Sequence, residues 1–421
     1  MENASSGKPA GPQDKFSHAS IHTSHAISLA RILLVVGLIF LHYGSFPNSD
    51  VTPFNGYDTT SHRFATWANS AILFFFFSAV PLLSMISGWL FFSFQPDDAW
   101  PVMAKRMRRR FISLYMPLVV WNMAYLVILY TLFITYPNLA FFTHSNRFSI
   151  HFVSAGWTDY FNAMFAVTNE PVAFQFWFVR DLFVTCLISP VLWLMIRYMP
   201  WLGALGLFCA WISGMTFGIF LRLDVPFFFY MGGLVYQHRI PYVIPRRRAI
   251  LLAALYIALV GLRALSPLVV PADAVEPFWL VTVTRLMRIV GVLSCWGVLY
   301  RLANTHGGAL ISGYGGLAFF LHSAHWPLLA VVKIAVWRFI PFDNDFWMLT
   351  HLLLSVTLTA MIGLAAGLGL AKQCPRIFAL MNGGRVLGQV KDRHTDNQLE
   401  TKDPVQSKES QEMVFVPANA T

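Results

Sequence analysis

The sequence predicts an all-α, polytopic transmembrane helical bundle of about ten spans, with both termini in the cytoplasm. Composition is the first observation behind this prediction, because 56% of the 421 residues are hydrophobic and only 12% are charged. A soluble domain carries about 25% charged residues, since its surface must be wetted. The 38 Phe and 14 Trp residues also suit the hydrocarbon core and its interface. Much of the surface is therefore expected to face lipid.

Apolar segments of spanning length are the second observation. A transmembrane helix needs about 20 mostly apolar residues. Ten candidate segments run over 27–46, 69–93, 112–136, 173–197, 202–220, 225–243, 249–269, 278–300, 316–337 and 347–371. The sixth is the weakest, because it is short and ends in a polar run. Residues 1–24 lack the layout of a signal peptide, so we expect the first span to be a retained insertion signal.

The distribution of basic residues is the third observation. Alternate connections are rich in Lys and Arg while the intervening ones are poor, which by the positive-inside rule places both termini in the cytoplasm. The rich connections hold Lys105, Arg106, Arg108, Arg109, Arg110, Arg197, Arg239, Arg246, Arg247, Arg248, Arg301, Lys372, Arg376 and Arg385, and the poor ones hold Arg63, Arg147, Arg222 and Arg338. This pattern accounts for the net charge of +10 without a nucleic-acid partner.

The chain is expected to divide into three parts. They are a polar cytoplasmic N-terminal segment (1–25), a transmembrane domain (26–372) and a polar, largely disordered cytoplasmic tail (373–421). Two far-side connections, 47–68 and 137–172, are long and rich in aromatic, Asn, Thr and Asp residues. They suit either an extracytoplasmic substrate or ordinary solvated loops. The four cysteines have neither metal-ligand spacing nor a disulfide framework, so no metal site is predicted.

Two ionisable residues in the first span form a candidate site, because charges within apolar spans are rare and costly. Arg31 and His42 are eleven positions apart, which places both on one helix face about 16 Å apart along the axis. An imidazole in such a position can take a proton from a hydroxyl near neutral pH. The alternative is that Arg31 extends to the headgroups as a topogenic charge and His42 is an interfacial polar residue.

A cationic run between the second and third spans, Lys105 to Arg110, is open to two interpretations. It anchors topology or meets anionic lipid, or it binds the phosphates of a nucleotide-like donor through guanidinium groups. Arg106 and Arg109 share one helix face because they are three residues apart. Taken alone, the run favours the topogenic interpretation.

Three further segments carry polar groups inside apolar runs. In the fourth span, Arg180 and Asp181 are adjacent opposite charges, which should be paired or face a cavity. In the ninth span, His322 and His325 lie on one helix face, but no Glu completes a zinc motif. Ser87-Gly88 ends the second span, where Gly permits close backbone approach or a bend.

Five motifs follow one another over about residues 25–372. They are Arg31-x10-His42; Pro81 to Ser87-Gly88-Trp89; Arg106-x-x-Arg109 with Tyr115-Met116-Pro117 and Trp121-Asn122; Trp177-Phe178-Val179-Arg180-Asp181-Leu182; and Phe320-Leu321-His322-Ser323-Ala324-His325-Trp326-Pro327. Each motif alone is weak. The ordered set resembles the acyltransferase-3 family of integral membrane O-acyltransferases, in the stand-alone form without an appended soluble domain.

This resemblance implies transfer of an acyl group from cytoplasmic acyl-CoA to a hydroxyl of a cell-surface polysaccharide, lipid-linked glycan or periplasmic glucan. The acyl group is most often acetyl, with succinyl or a longer chain next. It also implies ten spans in a bacterial inner membrane, no permanently bound cofactor, and polysaccharide-assembly proteins as partners besides the bilayer. The site residues that follow from it are Arg31, His42 and His325 for catalysis; Arg106, Arg109, Ser87 and Gly88 for the acyl-CoA donor; and Trp177, Arg180 and Asp181 for the substrate.

The main alternative is a secondary transporter or flippase for a lipid-linked sugar. Transporters often have paired halves with Gly- or Pro-broken helices at matching positions. The sequence has no such internal repeat. The interpretation as an acyltransferase is therefore favoured by the order of the motifs and not by any single residue.

Overall fold

The computed structural model describes residues 12–47, 49, 51–136, 150–271, 274–341 and 343–385, with side chains from residue 21 onward. Residues 1–11 of the predicted N-terminal segment, 137–149 of the second far-side connection and 386–421 of the predicted disordered tail lie outside these ranges.

Every regular element in the described ranges is helical, as predicted. The α-helices are α1 (Pro12–Tyr43), α2 (Arg63–Phe76), α3 (Ala79–Phe91), α4 (Ala99–Arg110), α5 (Met116–Thr135), α6 (Trp157–Phe165), α7 (Trp177–Leu187), α8 (Ser189–Tyr198), α9 (Pro200–Ser213), α10 (Asp224–Gln237), α11 (Arg246–Ala264), α12 (Phe278–Leu302), α13 (His306–Ser312), α14 (Ala318–Trp337), α15 (Asp345–Gln373) and α16 (Pro375–Met381). Short 3₁₀ turns include Phe174–Phe176 before α7 and Gly313–Leu317 before α14, and a π-helical turn, Phe111–Tyr115, joins α4 to α5.

Six helical segments in the described ranges are long and apolar enough to cross a membrane. They are Ile21–Tyr43, Arg63–Phe91, Pro96–Thr135, Phe278–Leu302, His306–Trp337 and Asp345–Gln373. A seventh crossing results if α7 and α8, which meet at a 61° bend, form one broken span. Pro190 near the start of α8 explains the bend, because proline removes a backbone donor and clashes with the preceding turn. The protein is thus a multi-pass helical membrane protein.

The other three predicted spans correspond to helices that do not have full spanning character. Helices α9 and α10 have 14 residues each, or about 21 Å, against a hydrocarbon core of about 30 Å. Helix α11 has 19 residues, but arginines occupy both its ends. A hydropathy pattern finds these helices but overestimates the apolar length of α9, because the connection 214–220 that follows it is also rich in apolar residues. The predicted segments 225–243 and 249–269 likewise extend past the last residues of α10 and α11.

Helix α1 lies at the centre of the bundle. It packs against α2, α3, α12, α13, α14 and α15, and one face of it is lined by buried aliphatic residues such as Leu34 and Leu38. The large hydrophobic residues of α5, α11 and α12 are instead often exposed, as expected for helices that face lipid. Because α1 contacts these helices, a residue near its C-terminal end can meet side chains from distant parts of the chain.

The described part of the predicted tail is helical and packs on the bundle. Phe378 of α16 is buried, and Asn382 accepts a hydrogen bond from the Phe320 backbone N–H at 3.0 Å. The Trp121 indole donates to the Met381 carbonyl at 3.0 Å. The ordered bundle therefore continues beyond the predicted boundary at residue 372.

Asp58 organises the described part of the first far-side connection. Its carboxylate accepts hydrogen bonds from the backbone N–H of Thr60 at 2.8 Å and from the hydroxyls of Thr60 and Ser61 at 2.6 and 3.1 Å. Burial alone would raise the pKa of this carboxyl, but the hydrogen bonds outweigh it and the net pKa is lowered. The ionised form is therefore the one that holds the turn.

We expect Asp58→Asn to lower the melting temperature at neutral pH. Because the folded pKa lies below the unfolded value of about 3.9, the contribution of Asp58 is complete above that value and is lost as the pH falls through the folded pKa. Thermal unfolding of the detergent-solubilised protein at several pH values tests this. The difference in melting temperature between the variant and wild type should become smaller at acidic pH. A difference that does not change with pH would contradict the conclusion that ionised Asp58 holds the turn.

Candidate active site

Two histidines from distant parts of the chain meet where the C-terminal end of α1 packs against α14. His42 Nδ1 and His325 Nε2 are 2.8 Å apart, and the two ring planes are within 16° of parallel with centroids 5.0 Å apart, so the rings meet edge to edge. His42 lies in the last turn of α1 and His325 in α14. His325 is fully buried, whereas His42 is partly exposed. The pair is therefore held from the His325 side and open on the His42 side.

Hydrogen bonding determines the tautomers of this pair when both rings are neutral. His325 Nδ1 lies 2.6 Å from the carbonyl oxygen of His322, and a carbonyl can only accept, so this nitrogen carries the proton. His325 Nε2 is then an acceptor, and His42 Nδ1 must donate to it. The lone pair of His42 is left on Nε2. The chain of hydrogen bonds thus presents His42 as a base oriented by His325.

A second set of contacts fixes the end of α1 that carries His42. The ammonium group of Lys333 donates to the Tyr43 carbonyl at 2.9 Å and also to the Ser45 carbonyl. The Tyr43 hydroxyl donates to His351 Nδ1 at 2.6 Å. A cation suits this position because the last carbonyls of a helix have no partner within it. These bonds to α14 and α15 hold His42 in place.

Aromatic and amide groups from the turn before α7 border the histidine pair. Phe174 contacts the His42 ring edge-on at 5.1 Å and the Trp326 ring at 4.7 Å. Gln175 is fully buried, and its amide donates to the Tyr125 hydroxyl at 3.2 Å and the Ser323 carbonyl at 3.0 Å. The turn therefore docks on α5 and α14 and places an apolar wall beside His42.

His322 lies next to the pair but does not join it. Its ring centroid is 5.6 Å from that of His325 and faces the edges of Phe176 and Phe178. Neither ring nitrogen makes a hydrogen bond with the described residues. The structure thus brings His325, and not His322, to His42.

Arg31 lies on the same unbroken helix as His42. The continuous helix gives the eleven-residue separation its expected rise of about 16 Å and a common face. Arg31 is partly buried. The structure therefore agrees with the predicted alignment of the two residues and places them at different depths of the bundle.

The two arginines predicted to act together in the cationic run have different surroundings. Arg106 caps the end of α3, where its guanidinium donates to the carbonyls of Leu90 and Phe91 at 2.7 Å each and to the Ser93 carbonyl at 3.0 Å. Arg109 is exposed. Arg106 therefore has a clear structural function, whereas the guanidinium of Arg109 faces outward.

Ser87 and Gly88 belong to a helix crossing. The Ser87 hydroxyl donates to the Leu83 carbonyl of its own helix at 2.8 Å. A Cβ atom at Gly88 would overlap the backbone carbonyl of Phe229, and Gly232 is equally close to the backbone of α3. Of the two alternatives for Gly88, the structure shows the close backbone approach, and it serves the packing of α3 on α10, as small residues do in membrane helices.

Arg180 and Asp181 are paired, as expected for adjacent charges in an apolar run. Their side chains form an ion pair at 2.8 Å and both residues are buried. The Arg180 guanidinium also donates to the carbonyls of Ala166 and Val167 at 3.1 and 2.8 Å and to that of Ile219. The pair ties two connections to α7, and its charged groups are satisfied within the protein.

Several ionisable or polar residues near the bundle interior were not predicted from the sequence. They are Gln175, Arg222, Arg285, Arg288 and Lys333. Arg285, Arg288 and Lys333 lie inside predicted spans, so the rarity of intramembrane charge would have found them. Gln175 and Arg222 lie in turns and carry no such signal.

The described residues contain no group of three or more His, Cys, Asp or Glu side chains that could hold a metal ion. The two paired histidines use their facing nitrogens for a hydrogen bond to each other. The arrangement is suited to proton transfer at His42.

Comparison with known proteins identifies the family of this chain. The Acyltransferase domain family, acyltransferase-3, matches residues 24–366, and the chain therefore belongs to this family of membrane acyltransferases. It is similar to the succinoglycan biosynthesis protein ExoH of Rhizobium meliloti (strain 1021), with 28% identity over 313 residues that cover 74% of this chain and 80% of the relative. No solved structure matches the chain.

Proposed function

We propose that this protein is an O-acyltransferase of a bacterial inner membrane, which transfers an acyl group, most simply acetyl, from cytoplasmic acyl-CoA to a hydroxyl of a glycan. The observation that carries the proposal is the hydrogen bond between His42 and His325, which leaves one nitrogen of His42 as a base. The name of the ExoH relative refers to biosynthesis of a polysaccharide. It supports a cell-surface polysaccharide, a lipid-linked glycan or a periplasmic glucan as the acceptor.

In the proposed reaction, His42 Nε2 takes the proton of the acceptor hydroxyl as the oxygen attacks the thioester carbonyl. A C–O bond forms, the C–S bond breaks, and the thiolate of CoA leaves and recovers the proton from His42. The imidazolium that forms in between donates from Nδ1 to the neutral Nε2 of His325, which stabilises it because charge-assisted hydrogen bonds are stronger than neutral ones. General-base catalysis of this type contributes about 10²–10⁴-fold to a rate.

We also propose that the donor enters from the cytoplasmic side and that α9, α10 and α11 complete ten membrane crossings, with both termini in the cytoplasm. The exposed guanidinium of Arg109 suits a CoA phosphate, since arginine binds phosphate oxygens in pairs. We place Arg31, on the face of α1 that leads to His42, further along the same proposed route. The excess of Lys and Arg in alternate connections supports this orientation.

Arg109→Gln should raise the KM for acyl-CoA about tenfold with little change in the amount of folded protein, because it removes one exposed phosphate-binding group. Arg106→Gln should instead lower thermal stability, because it leaves the last carbonyls of α3 without their cap. Steady-state kinetics and thermal unfolding of both variants separate the two effects. Equal KM values for wild type and Arg109→Gln would remove Arg109 from the donor site.

Purified protein in sealed liposomes tests the proposed reaction. Labelled acetyl-CoA is supplied on one side and a mixture of oligosaccharide acceptors on the other, and label in the glycan fraction is measured. Transfer by wild type and its loss in His42→Gln would support the proposal. If lipid-linked sugar moved between leaflets without label transfer, the protein would be a transporter or flippase instead.

A further inference from the structure

Arg222 is an exposed cation on the border of the histidine site. Its guanidinium carbon lies 4.3 Å from the centre of the Trp177 ring, and its side chain makes no hydrogen bond or ion pair with the described residues. Guanidinium groups stack on aromatic rings in this way and keep their edge free for an anion. The outward edge of Arg222 therefore has unused donors.

The backbone that carries Arg222 is held rigidly. Its N–H donates to Asp181 Oδ2 at 2.8 Å, and the N–H of Leu221 donates to Asp181 Oδ1 at 3.2 Å. Asp181 is itself fixed by its ion pair with Arg180. The buried pair thus positions Arg222 over Trp177, which gives the motif at 177–182 a function that does not require Arg180 or Asp181 to touch a ligand.

Neighbouring charges do not neutralise Arg222. The nearby carboxylate, Asp224, is already paired with Arg288 at 2.9 Å, and Arg288 lies within electrostatic range of Arg222. Arg285, from the same helix as Arg288, donates to the Ile212 carbonyl at the end of α9. Counted together with the buried Arg180–Asp181 pair, the arginines outnumber the carboxylates by four (Arg180, Arg222, Arg285, Arg288) to two (Asp181, Asp224), so the electrostatic potential here favours an anion.

The cation belongs to the same site as the base. Phe174, which contacts the His42 ring edge-on at 5.1 Å, begins the 3₁₀ turn that leads directly into α7 at Trp177, and Trp177 is the ring on which Arg222 lies. The short segment 174–177 therefore connects Arg222 to the histidine site, as expected for a residue that binds part of the reacting substrate.

We propose that Arg222, stacked on Trp177, binds a carboxylate of the substrate during acyl transfer. This rests on the proposed function. A single free guanidinium offers two parallel donors, which match one carboxylate. A pyrophosphate carries more charge than one such group can meet, since Arg285 and Arg288 are engaged elsewhere. The carboxylate belongs either to a dicarboxylic acyl group on the donor or to an acidic sugar of the acceptor.

Kinetics of the purified protein in liposomes with paired substrates test this proposal. The donors are acetyl-CoA and succinyl-CoA, and the acceptors are a neutral oligosaccharide and one that contains glucuronate. Arg222→Gln should reduce kcat/KM about tenfold or more for the charged member of one pair and less than about threefold for its neutral counterpart. Arg222→Lys should recover part of the loss, because it keeps the charge without the paired donors. Arg338→Gln, which removes another exposed arginine, is the matched control. It should leave the ratio of kcat/KM for the charged substrate to kcat/KM for its neutral counterpart unchanged.

The outcomes show whether the carboxylate belongs to the donor or to the acceptor, and they test the carboxylate site separately from the proposed function. If Arg222→Gln lowers kcat/KM for succinyl-CoA but not for acetyl-CoA, the carboxylate belongs to the acyl group. If it lowers kcat/KM for the acceptor with glucuronate but not for the neutral acceptor, the carboxylate belongs to the glycan. If wild type transfers acyl groups but Arg222→Gln affects charged and neutral substrates equally, the carboxylate site is wrong and the proposed function stands. If wild type transfers no acyl group from either donor, the proposed function and the carboxylate site both fall.

Discussion

His42→Gln is expected to reduce acyl transfer by at least about a hundredfold, because it removes the base while an amide can still donate to His325. The variant should reach the membrane in normal amounts, since His42 is partly exposed and its hydrogen bond to His325 is replaceable. Initial rates of transfer, divided by the quantity of folded protein, measure the effect. A lower rate caused only by a raised KM would indicate binding and not proton transfer.

Two further variants make this test specific. His151→Gln changes an exposed histidine outside the bundle and should leave the rate unchanged. His325→Gln should reduce kcat less than His42→Gln does, because it removes the group that orients the base and not the base itself. If His42→Gln kept full activity, or if His151→Gln lost as much, the proposed base would be wrong.

Asp181→Asn is expected to have the largest effect on folding, because it leaves Arg180 as a buried cation without its counter-ion. Removing one partner of a buried ion pair costs about 3–5 kcal/mol, which is a large part of the stability of a typical domain. We expect little folded protein in the membrane and a sharply lowered melting temperature in detergent. Asp97→Asn, at an exposed carboxylate, should behave like wild type.

Removal of both charges refines this prediction. A double variant, Arg180→Met with Asp181→Asn, should be more stable than Asp181→Asn alone, because no unpaired charge remains buried. The double-mutant cycle formed by the two single variants and the double variant gives the interaction free energy between Arg180 and Asp181. A melting temperature of Asp181→Asn equal to that of wild type would show that the pair does not hold the connections around α7.

The sequence predicts the local features of this protein well. The alignment of Arg31 with His42 follows from helix geometry alone, and α1 is continuous over both residues. The pairing of Arg180 with Asp181 follows from the cost of charge in an apolar environment. The close approach at Gly88 follows from the absence of a side chain. Each of these features depends on residues close in the chain or on the free-energy cost of an unpaired charge in an apolar environment. They can therefore be predicted without knowledge of the fold.

Features that depend on contacts between distant segments could not be predicted in the same way. His42 and His325 are separated by 283 positions, so their hydrogen bond follows only from the packing of α1 on α14. Helix periodicity groups Arg106 with Arg109, but Arg106 donates to the carbonyls at the end of α3 whereas Arg109 is exposed. Arg222 stacks on Trp177 because a connection folds back on α7. Helix packing, and not local sequence, places these groups.

The most direct test of the central claim is mass analysis of cell-surface and periplasmic glycans from cells with the gene, without it, and with His42→Ala in its place. We expect one glycan to lose a fixed acyl mass both without the gene and with the variant, which also identifies the acyl group and the acceptor. Unchanged glycan masses, together with accumulation of a lipid-linked sugar on one leaflet, would contradict it and would establish transport instead.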